Sequence, residues 1–166
     1  MNLYILRHAV AVSPGTPGFP NDDRPLTESG IKKMKQAARS FPDLVESVDA
    51  ILTSPLQRAV ETAKIAALAL NCEKNLEVCS ELLPETSSQK ILTLLKKYAA
   101  KPSVMIVGHE PSLSTFASLL LGSGESVIIL KKGGMCKIEV SGLPAKPAGM
   151  LHWHLAPRQL RQYASD

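Results

Sequence analysis

The sequence contains no long hydrophobic run. Its apolar stretches, such as residues 65–70, are far shorter than the ~18 residues that a membrane-spanning helix needs. Its 10 Gly and 12 Pro follow no period, which excludes a collagen-like or low-complexity chain. The composition, 45% hydrophobic and 20% charged, is that of a globular protein. Since a domain usually has ~150 residues, we expect one domain over residues 1–166.

Cysteine is scarce and shows no ligand spacing. Cys72, Cys79 and Cys136 are odd in number and form no C-x-x-C pair, so neither a disulfide framework nor a zinc site is expected. Buried reduced thiols are the default and suit the cytosol. The N-terminus has no basic segment, and Arg7 interrupts its first apolar run, so a signal peptide is not expected. We predict a cytoplasmic protein.

Basic residues are not gathered into long runs. The net charge is +4, and the segment from Lys131 to the end holds six Lys/Arg against two Asp/Glu. No Lys/Arg run exceeds two residues and no aromatic residues alternate with them, which favours a solvated surface over a nucleic-acid interface. A mild positive field near a site for an anionic substrate is a further alternative.

Short apolar strands alternate with helices over the first 121 residues. Strands are predicted at 3–6, 50–52, 76–79 and 104–107. Helices are predicted from their apolar spacing and start signals at 27–40, 54–70, 87–98 and 111–121. The first of these helices has Thr27 as its N-cap, and the second pairs Ser54 as N-cap with Pro55 at the first helical position.

This alternation predicts an α/β protein with a mainly parallel sheet covered on both faces, which is a three-layer α/β/α sandwich. Residues 13–25 hold four Pro and two Gly and are predicted to form a loop. Short strands at 137–140 and 151–155, joined by a Pro/Gly-rich segment, predict an antiparallel edge. A last helix is expected to begin near Pro157.

Charged and titratable residues follow three of the predicted strands. Arg7 and His8 follow the first strand, Arg58 lies in the first turn of the helix after the second, and His109 follows the fourth. Ligands of an open α/β sheet bind beyond the carboxyl ends of its strands. We therefore expect these four residues to meet at one edge of the sheet.

Two arginines and two histidines in one pocket form a site for an anion. The guanidinium fork suits a phosphoryl group, and helix N-termini direct N–H groups the same way. A neutral histidine beside that group can act as a nucleophile on phosphorus. The sequence has no carboxylate or His/Cys cluster for a metal, so the arginines would stabilise the charge that Mg²⁺ handles in kinases. Each of these residues alone would more often have a structural role; their joint placement favours the functional interpretation.

Four motifs resemble one family. Leu6-Arg7-His8-Ala9 resembles the Arg-His-Gly/Ala signature of the histidine phosphatase superfamily. Residues 24–30 (R-P-L-T-x-x-G), 53–63 and 107–111 are similar to motifs of its SixA-type phosphohistidine phosphatases, and Trp153 and Pro157 resemble that branch's closing pattern. The motifs occur in the family's order and span essentially the whole chain. The resemblance implies a phosphoglycerate mutase-like fold and a single histidine phosphatase domain.

The resemblance also implies a role for each residue. His8 would attack phosphorus and become a transient phosphohistidine, which water then hydrolyses. Arg7, Arg58 and His109 would bind the phosphoryl oxygens and stabilise the transition state. The implied enzyme is a phosphoric monoester or phosphoramidate hydrolase that needs no metal or other cofactor. Its partner would be a phosphohistidine protein or a small phosphorylated substrate, and neither a nucleic acid nor a membrane is expected.

The leaving group separates the possible substrates. A phosphate ester leaves as an alkoxide and needs a general acid, whereas phosphohistidine leaves as imidazole. Glu81 occupies the position where larger relatives carry an acid, and Glu85, Asp22 and Asp23 are further candidates. The SixA branch is thought to work without a dedicated acid. The preferred substrate is therefore protein phosphohistidine; the alternatives are small phosphomonoesters on the same site, or a phosphoprotein-binding module without turnover.

Two weaker signals have structural interpretations. His152 and His154 flank Trp153 on a predicted strand, and two histidines at that spacing can bind a metal, but no carboxylate or thiolate partner stands nearby in the sequence. We expect Trp153 to serve packing. Gly133-Gly134 lacks the other residues of a phosphate-binding loop and is predicted to be a turn before a strand.

Overall fold

A computed structural model describes residues 1–19, 22–142 and 149–164. Six strands form one sheet in the order β3-β2-β4-β1-β5-β6. The strands are β1 (Asn2–Arg7), β2 (Ala50–Thr53), β3 (Leu76–Val78), β4 (Ser103–Gly108), β5 (Met135–Glu139) and β6 (Met150–Leu155). The helices are α1 (Glu28–Ala38), α2 (Phe41–Leu44), α3 (Gln57–Ala69), α4 (Ser88–Lys96), α5 (Ser112–Leu120) and α6 (Pro157–Tyr163). The predicted alternation of strands and helices is confirmed.

The pairing of the strands divides the sheet into two parts. Four adjacent strands, β3, β2, β4 and β1, run parallel to one another. The remaining two are antiparallel, since β5 runs antiparallel to β1 and β6 antiparallel to β5. Arg7 pairs with Gly108 and Thr53 with Val107, so the carboxyl ends of three parallel strands lie level with one another. The mainly parallel sheet with an antiparallel edge is confirmed.

Successive residues of β1 enter two different cores. Leu3 and Ile5 pack in a cluster with residues of α4 and α5. Tyr4 and Leu6 point the other way, into a cluster with residues of α1, α2, α3 and α6. Because neighbouring side chains of a strand face opposite sides, a strand buried on both sides must be apolar throughout. The three-layer sandwich is therefore also confirmed.

The two predicted caps have different outcomes. Thr27 is the N-cap of α1, where its Oγ1 accepts a hydrogen bond from the Gly30 amide at 2.9 Å. The prediction that Ser54 caps α3 is wrong, because that helix begins at Gln57. The Gln57 amide instead donates to the carboxylate of Asp23 at 2.7 Å. The cap therefore comes from a residue distant in sequence, which leaves Ser54 available for another contact.

The cysteines are all reduced, but they are not all buried. Cys79 and Cys136 are buried, which raises the pKa of Cys79 to about 11 and that of Cys136 to about 12. Cys72 is half-buried, because it follows the end of α3 at the surface, so the expected burial is wrong for this residue.

Two predicted segments include residues that the structure does not describe. Over 13–19 and 22–25 the chain forms neither an α-helix nor a strand, whereas residues 20–21 of this loop are not described. The Pro/Gly-rich connection before β6 includes residues 143–148, which also lie outside the described residues. Within the described parts, no helix is long and apolar enough to cross a membrane.

Candidate active site

The structure brings the four predicted site residues together. Arg7 ends β1, His8 and His109 directly follow β1 and β4, and Arg58 is the second residue of α3. The centroids of the two imidazole rings are 5.0 Å apart, with the ring planes tilted by 52°. The His8 amide donates to the Gly108 carbonyl at 3.0 Å, which joins the two histidine segments through their backbones.

The His8 imidazole is held in one tautomer. Its Nδ1 lies 2.8 Å from the carbonyl oxygen of Ala9, which can only accept, so we assign the proton to Nδ1 and the lone pair to Nε2. His8 is 7% exposed, and burial, together with the nearby charges of Arg58, Arg7 and Lys132, lowers its pKa to about 4. His8 is therefore a neutral imidazole with an available Nε2 at neutral pH.

The His109 imidazole is neutral as well. Burial lowers its pKa to about 3, with added effects from His8 and Arg58. Its Nε2 lies 2.8 Å from the Ser54 hydroxyl, which can donate to it. The single proton of the ring is then at Nδ1, a buried atom with no hydrogen-bond partner among the described residues. His109 would thus present an N–H donor to a ligand.

The two arginines have different partners. Arg7 donates from one terminal nitrogen to the Leu130 carbonyl at 2.7 Å. Arg58, only 3% exposed, donates to the Asp22 carbonyl at 2.6 Å and to the Asp22 carboxylate at 2.9 Å. Burial lowers the pKa of both guanidinium groups, but from so high a starting value that both stay charged.

Unpartnered donors concentrate in this cluster. Among the described residues, five buried side-chain nitrogens or oxygens have no hydrogen-bond partner. Three of them are Arg7 Nε, Arg58 Nε and His109 Nδ1; the other two are the hydroxyls of Tyr4 and Ser112. Buried donors without an acceptor are costly, and donors on positive groups favour an anionic one. The cluster can therefore bind an anion with several oxygens next to His8 Nε2.

Thr62 connects the segment that follows His8 to α3. Its hydroxyl donates to the Arg58 carbonyl at 2.7 Å and accepts from the Ala9 amide at 3.0 Å. Thr62 is fully buried, so these two bonds fix the backbone after His8 relative to the helix that carries Arg58. The residue belongs to the sequence motif at 53–63, but only the structure shows what its hydroxyl contacts.

Known proteins match this chain in sequence and in fold. The sequence profile of the histidine phosphatase superfamily, branch 1, matches residues 3–83. An uncharacterized protein of Picosynechococcus sp. is 34% identical over 139 residues, which are 81% of this chain and 82% of that protein. This chain belongs to the histidine phosphatase superfamily. The family expected from the motifs is confirmed.

Solved structures of SixA proteins resemble this superfamily member closely. The protein histidine phosphatase SixA, complexed with tungstate, has a TM-score of 0.81 at 22% identity and covers 96% of this chain and 99% of its own. A protein of Agrobacterium tumefaciens assigned as phosphohistidine phosphatase SixA has a TM-score of 0.79 at 25% identity, covering 94% and 97%. A mycobacterial glucosyl-3-phosphoglycerate phosphatase has the same fold, with a TM-score of 0.72 at 14% identity, covering 93% and 98%.

The candidate proton donors of this histidine phosphatase are engaged elsewhere. The Glu81 carboxylate lies 3.5 Å from Lys97 Nζ, and a hydrogen bond from its own amide lowers its pKa. Asp22 accepts from Arg24 at 2.5 Å, which lowers its pKa too. Asp23 caps α3, and Glu85 is exposed. Glu81 and Asp22 are therefore ionised at neutral pH and hold no proton to give.

The remaining candidates have structural partners. His152 Nε2 lies 2.8 Å from the Glu139 carboxylate, and Trp153 packs against Tyr4 with ring centroids 6.0 Å apart. Over residues 1–19, 22–142 and 149–164, no three His, Cys, Asp or Glu side chains are grouped to hold a metal ion. Gly133 lies in the predicted turn, where its amide approaches the carbonyls of Arg7 and His8 at 3.1 Å. That turn thus closes over the end of β1.

Sequence reasoning missed three contacts of the site. Ser54 was expected to cap a helix, although its hydroxyl contacts His109. Asp22 was considered only as an acid, although it is the ion-pair partner of Arg58. The carbonyl of Leu130 contacts Arg7 across 123 residues, and nothing in the local sequence indicates this. The motif T-S-P-x-x-R could have pointed to Ser54, because it places a hydroxyl next to the second arginine.

Proposed function

We propose that this chain is a phosphatase that hydrolyses protein phosphohistidine through a covalent phosphohistidine on His8. Membership of the histidine phosphatase superfamily supports phosphatase chemistry. The observation that carries the proposal is the set of buried, unpartnered N–H groups on Arg7, Arg58 and His109 around a neutral His8. The three donors can hydrogen-bond to the oxygens of a phosphoryl group, and the lone pair on His8 Nε2 can act as the nucleophile.

In the first step, His8 Nε2 attacks phosphorus opposite the leaving nitrogen. A bond forms between Nε2 and phosphorus, and the phosphorus–nitrogen bond of the substrate breaks with its electron pair going to the departing imidazole. The positive charges of Arg7 and Arg58 and the N–H of His109 stabilise the charge on the three phosphoryl oxygens. The Ala9 carbonyl, 2.8 Å from Nδ1, stabilises the positive charge that develops on the attacking ring.

In the second step, water attacks the phosphorus atom of phosphorylated His8. The new phosphorus–oxygen bond replaces the bond to Nε2, whose electron pair returns to the ring. The water proton passes to solvent, and inorganic phosphate leaves. Because the pKa of His8 is about 4, its ring is the free base in the first step and, being weakly basic, a good leaving group in the second.

The state of the acidic residues favours phosphohistidine over a phosphate ester. An alkoxide leaving group needs a proton from the enzyme, and Glu81 and Asp22 are ion-paired carboxylates. A protonated phosphoimidazole leaves as neutral imidazole and needs no such donor. The likeness to two proteins described as SixA adds weight to this choice. Location in the cytoplasm and a single domain over residues 1–166 are parts of the same proposal.

A small phosphomonoester is the second candidate substrate. It is favoured by the position of Asp22, whose carboxylate is bound to Arg58 yet 49% exposed. If the phosphoryl group takes over the Arg58 Nη2 contact in addition to Nε, it displaces this carboxylate, which could then take up a proton and act as the acid. The mycobacterial structure shows that the fold serves a phosphatase of this substrate class as well.

The test compares two substrates side by side in a metal chelator. We expect fast phosphate release from a phosphohistidine protein and slow release from a generic phosphate ester. The opposite ranking would replace the proposal by the small-ester function. Release from neither substrate, together with tight binding of the phosphoprotein, would indicate a binding module.

A further inference from the structure

A second pocket lies directly beside the candidate active site. It is formed by the chain that follows His8, by α1, by the turn before β5 and by α6. Its apolar floor includes Met34 and Pro157, and three basic side chains surround that floor: Lys33, Lys132 and Arg161. We call this the basic pocket. None of the described residues that line it is acidic.

The lysines of the basic pocket are not neutralised by the protein. Lys33 and Lys132 are exposed, and neither has a carboxylate within 4 Å among the described residues. Other lysines do have such partners: Lys137 lies 3.3 Å from Glu46, and Lys97 lies 3.5 Å from Glu81. The basic pocket therefore keeps a positive charge that is available to a ligand.

The basic pocket adjoins the segment that carries His8. Ala9 and Val10, which line it, directly follow His8 in the chain. The Gly133 amide, also at the pocket, approaches the His8 carbonyl at 3.1 Å. Lys132 is close enough to His8 to lower its pKa. A large substrate with its phosphoryl group at His8 could therefore reach Lys132 and the basic pocket.

We propose that the basic pocket binds acidic side chains of the phosphoprotein substrate, next to its phosphohistidine. This inference rests on the proposed function. The negative charge of substrate carboxylates complements the positive charge of Lys33 and Lys132. The aliphatic carbons of the acidic side chains can pack on the apolar floor at Met34 and Pro157. A second phosphate group of a small substrate would fit less well, because phosphate favours the bidentate hydrogen bonds of buried guanidinium groups such as those of Arg7 and Arg58. The basic pocket instead offers long, exposed side chains around an apolar floor.

The test reverses one charge in the basic pocket and one outside it. Lys33→Glu changes the pocket; Lys35→Glu makes the same change at an exposed position of the same helix that does not line it. Steady-state kinetics are measured on a phosphohistidine protein and on phosphoimidazole, which carries no acidic side chains. For Lys33→Glu we expect KM on the phosphoprotein to rise by about five- to tenfold, with kcat unchanged. For the same variant, KM on phosphoimidazole should change less than about twofold. For Lys35→Glu, both KM and kcat should change less than about twofold.

Each outcome has a distinct meaning. An equal KM on the phosphoprotein for wild type and Lys33→Glu would overturn the basic pocket as a docking site and leave the proposed function intact. An equal rise on both substrates would overturn it too, because the pocket would then serve the phosphoryl group itself. If wild type releases no phosphate from the phosphoprotein but does so from an ester, the proposed function fails and this inference fails with it. Lys33→Gln, which only removes the charge, gives a smaller shift in the same direction should Lys33→Glu fold poorly.

Discussion

The central parallel strands and the antiparallel edge strand β6 differ in burial and in what they contribute to the candidate site. All four residues of β2 and all six of β4 are buried, and the candidate catalytic residues lie where β1, β2 and β4 end. By contrast, β6 begins with exposed residues, including Met150 at 66% exposure. The central parallel strands hold the candidate catalytic residues at a buried end of the sheet, whereas the antiparallel part contributes the turn over the end of β1 and the basic residues Lys132 and Arg161.

Strand direction explains which residues each part of the sheet places at the candidate site. Parallel strands all end at one edge, so His8 and His109 meet although they are far apart in sequence. Met135 at the start of β5 pairs with Leu6, and Leu155 at the end of β6 pairs with Met135. The turn before β5 and the start of α6 therefore reach the same edge from the antiparallel side. This is how Lys132 and Arg161 come to lie beside the catalytic cluster.

The sharpest test of the comparison removes one histidine from each part. His8→Ala should lower kcat on a phosphohistidine protein by at least about 10³-fold, because it removes the proposed nucleophile. His152→Ala, at the exposed end of β6, should change kcat less than about twofold. Phosphate release is measured for both, with circular dichroism to check folding. A folded His8→Ala protein with near wild-type turnover would show that the assigned nucleophile is wrong.

A second test compares the stability of the two parts. Ile51→Ala removes a fully buried side chain from β2 and should cost about 2–5 kcal/mol of unfolding free energy. Leu151→Ala removes a side chain that is 37% exposed in β6, and should cost less than about half as much. Urea denaturation of each variant gives the two values. Equal losses would mean that the antiparallel edge is as tightly packed as the interior.

The third test concerns the acid sensitivity of folding. Burial lowers the pKa of His8 to about 4, whereas the unfolded residue titrates near 6.5, so the unfolded chain takes up this proton first as the pH falls. The contribution of His8 to stability is constant above about pH 6.5 and declines towards pH 4, with a limiting slope of about 1.4 kcal/mol per pH unit.

His8→Asn removes this proton and should reduce the slope of the unfolding free energy against pH between pH 6.5 and 4. Urea denaturation at a series of pH values measures the difference between wild type and variant. Titrating groups that His8 does not influence cancel in this difference, whereas His109 contributes to it because His8 helps to lower its pKa. His152→Asn provides the control in the antiparallel part. An unchanged slope in His8→Asn would show that His8 is protonated as readily in the folded protein as in the unfolded chain.

The sequence was enough to predict the residues at strand ends and the layers around them. Arg7, His8 and His109 directly follow apolar runs. Because parallel strands end at one edge of a sheet, these residues were predicted to lie together, and the family resemblance supported the same prediction. Contacts between distant segments carry no such local signal. The Asp22–Arg58 ion pair joins a loop to a helix across 36 residues, and Ser54 has the sequence context of a cap. The basic pocket, likewise, draws its lysines from α1 and from the turn before β5.

The bond between Asp22 and Arg58 has a consequence for the catalytic cycle. A buried guanidinium is stable only beside a negative charge, and Asp22 supplies one at 2.9 Å. In the proposed cycle, a phosphoryl group that takes over this contact exchanges one anion for another. The departure of phosphate is then accompanied by the return of the carboxylate. The cycle therefore resembles ion exchange, in which Arg58 keeps a counter-ion throughout and the Asp22 loop carries the resident one.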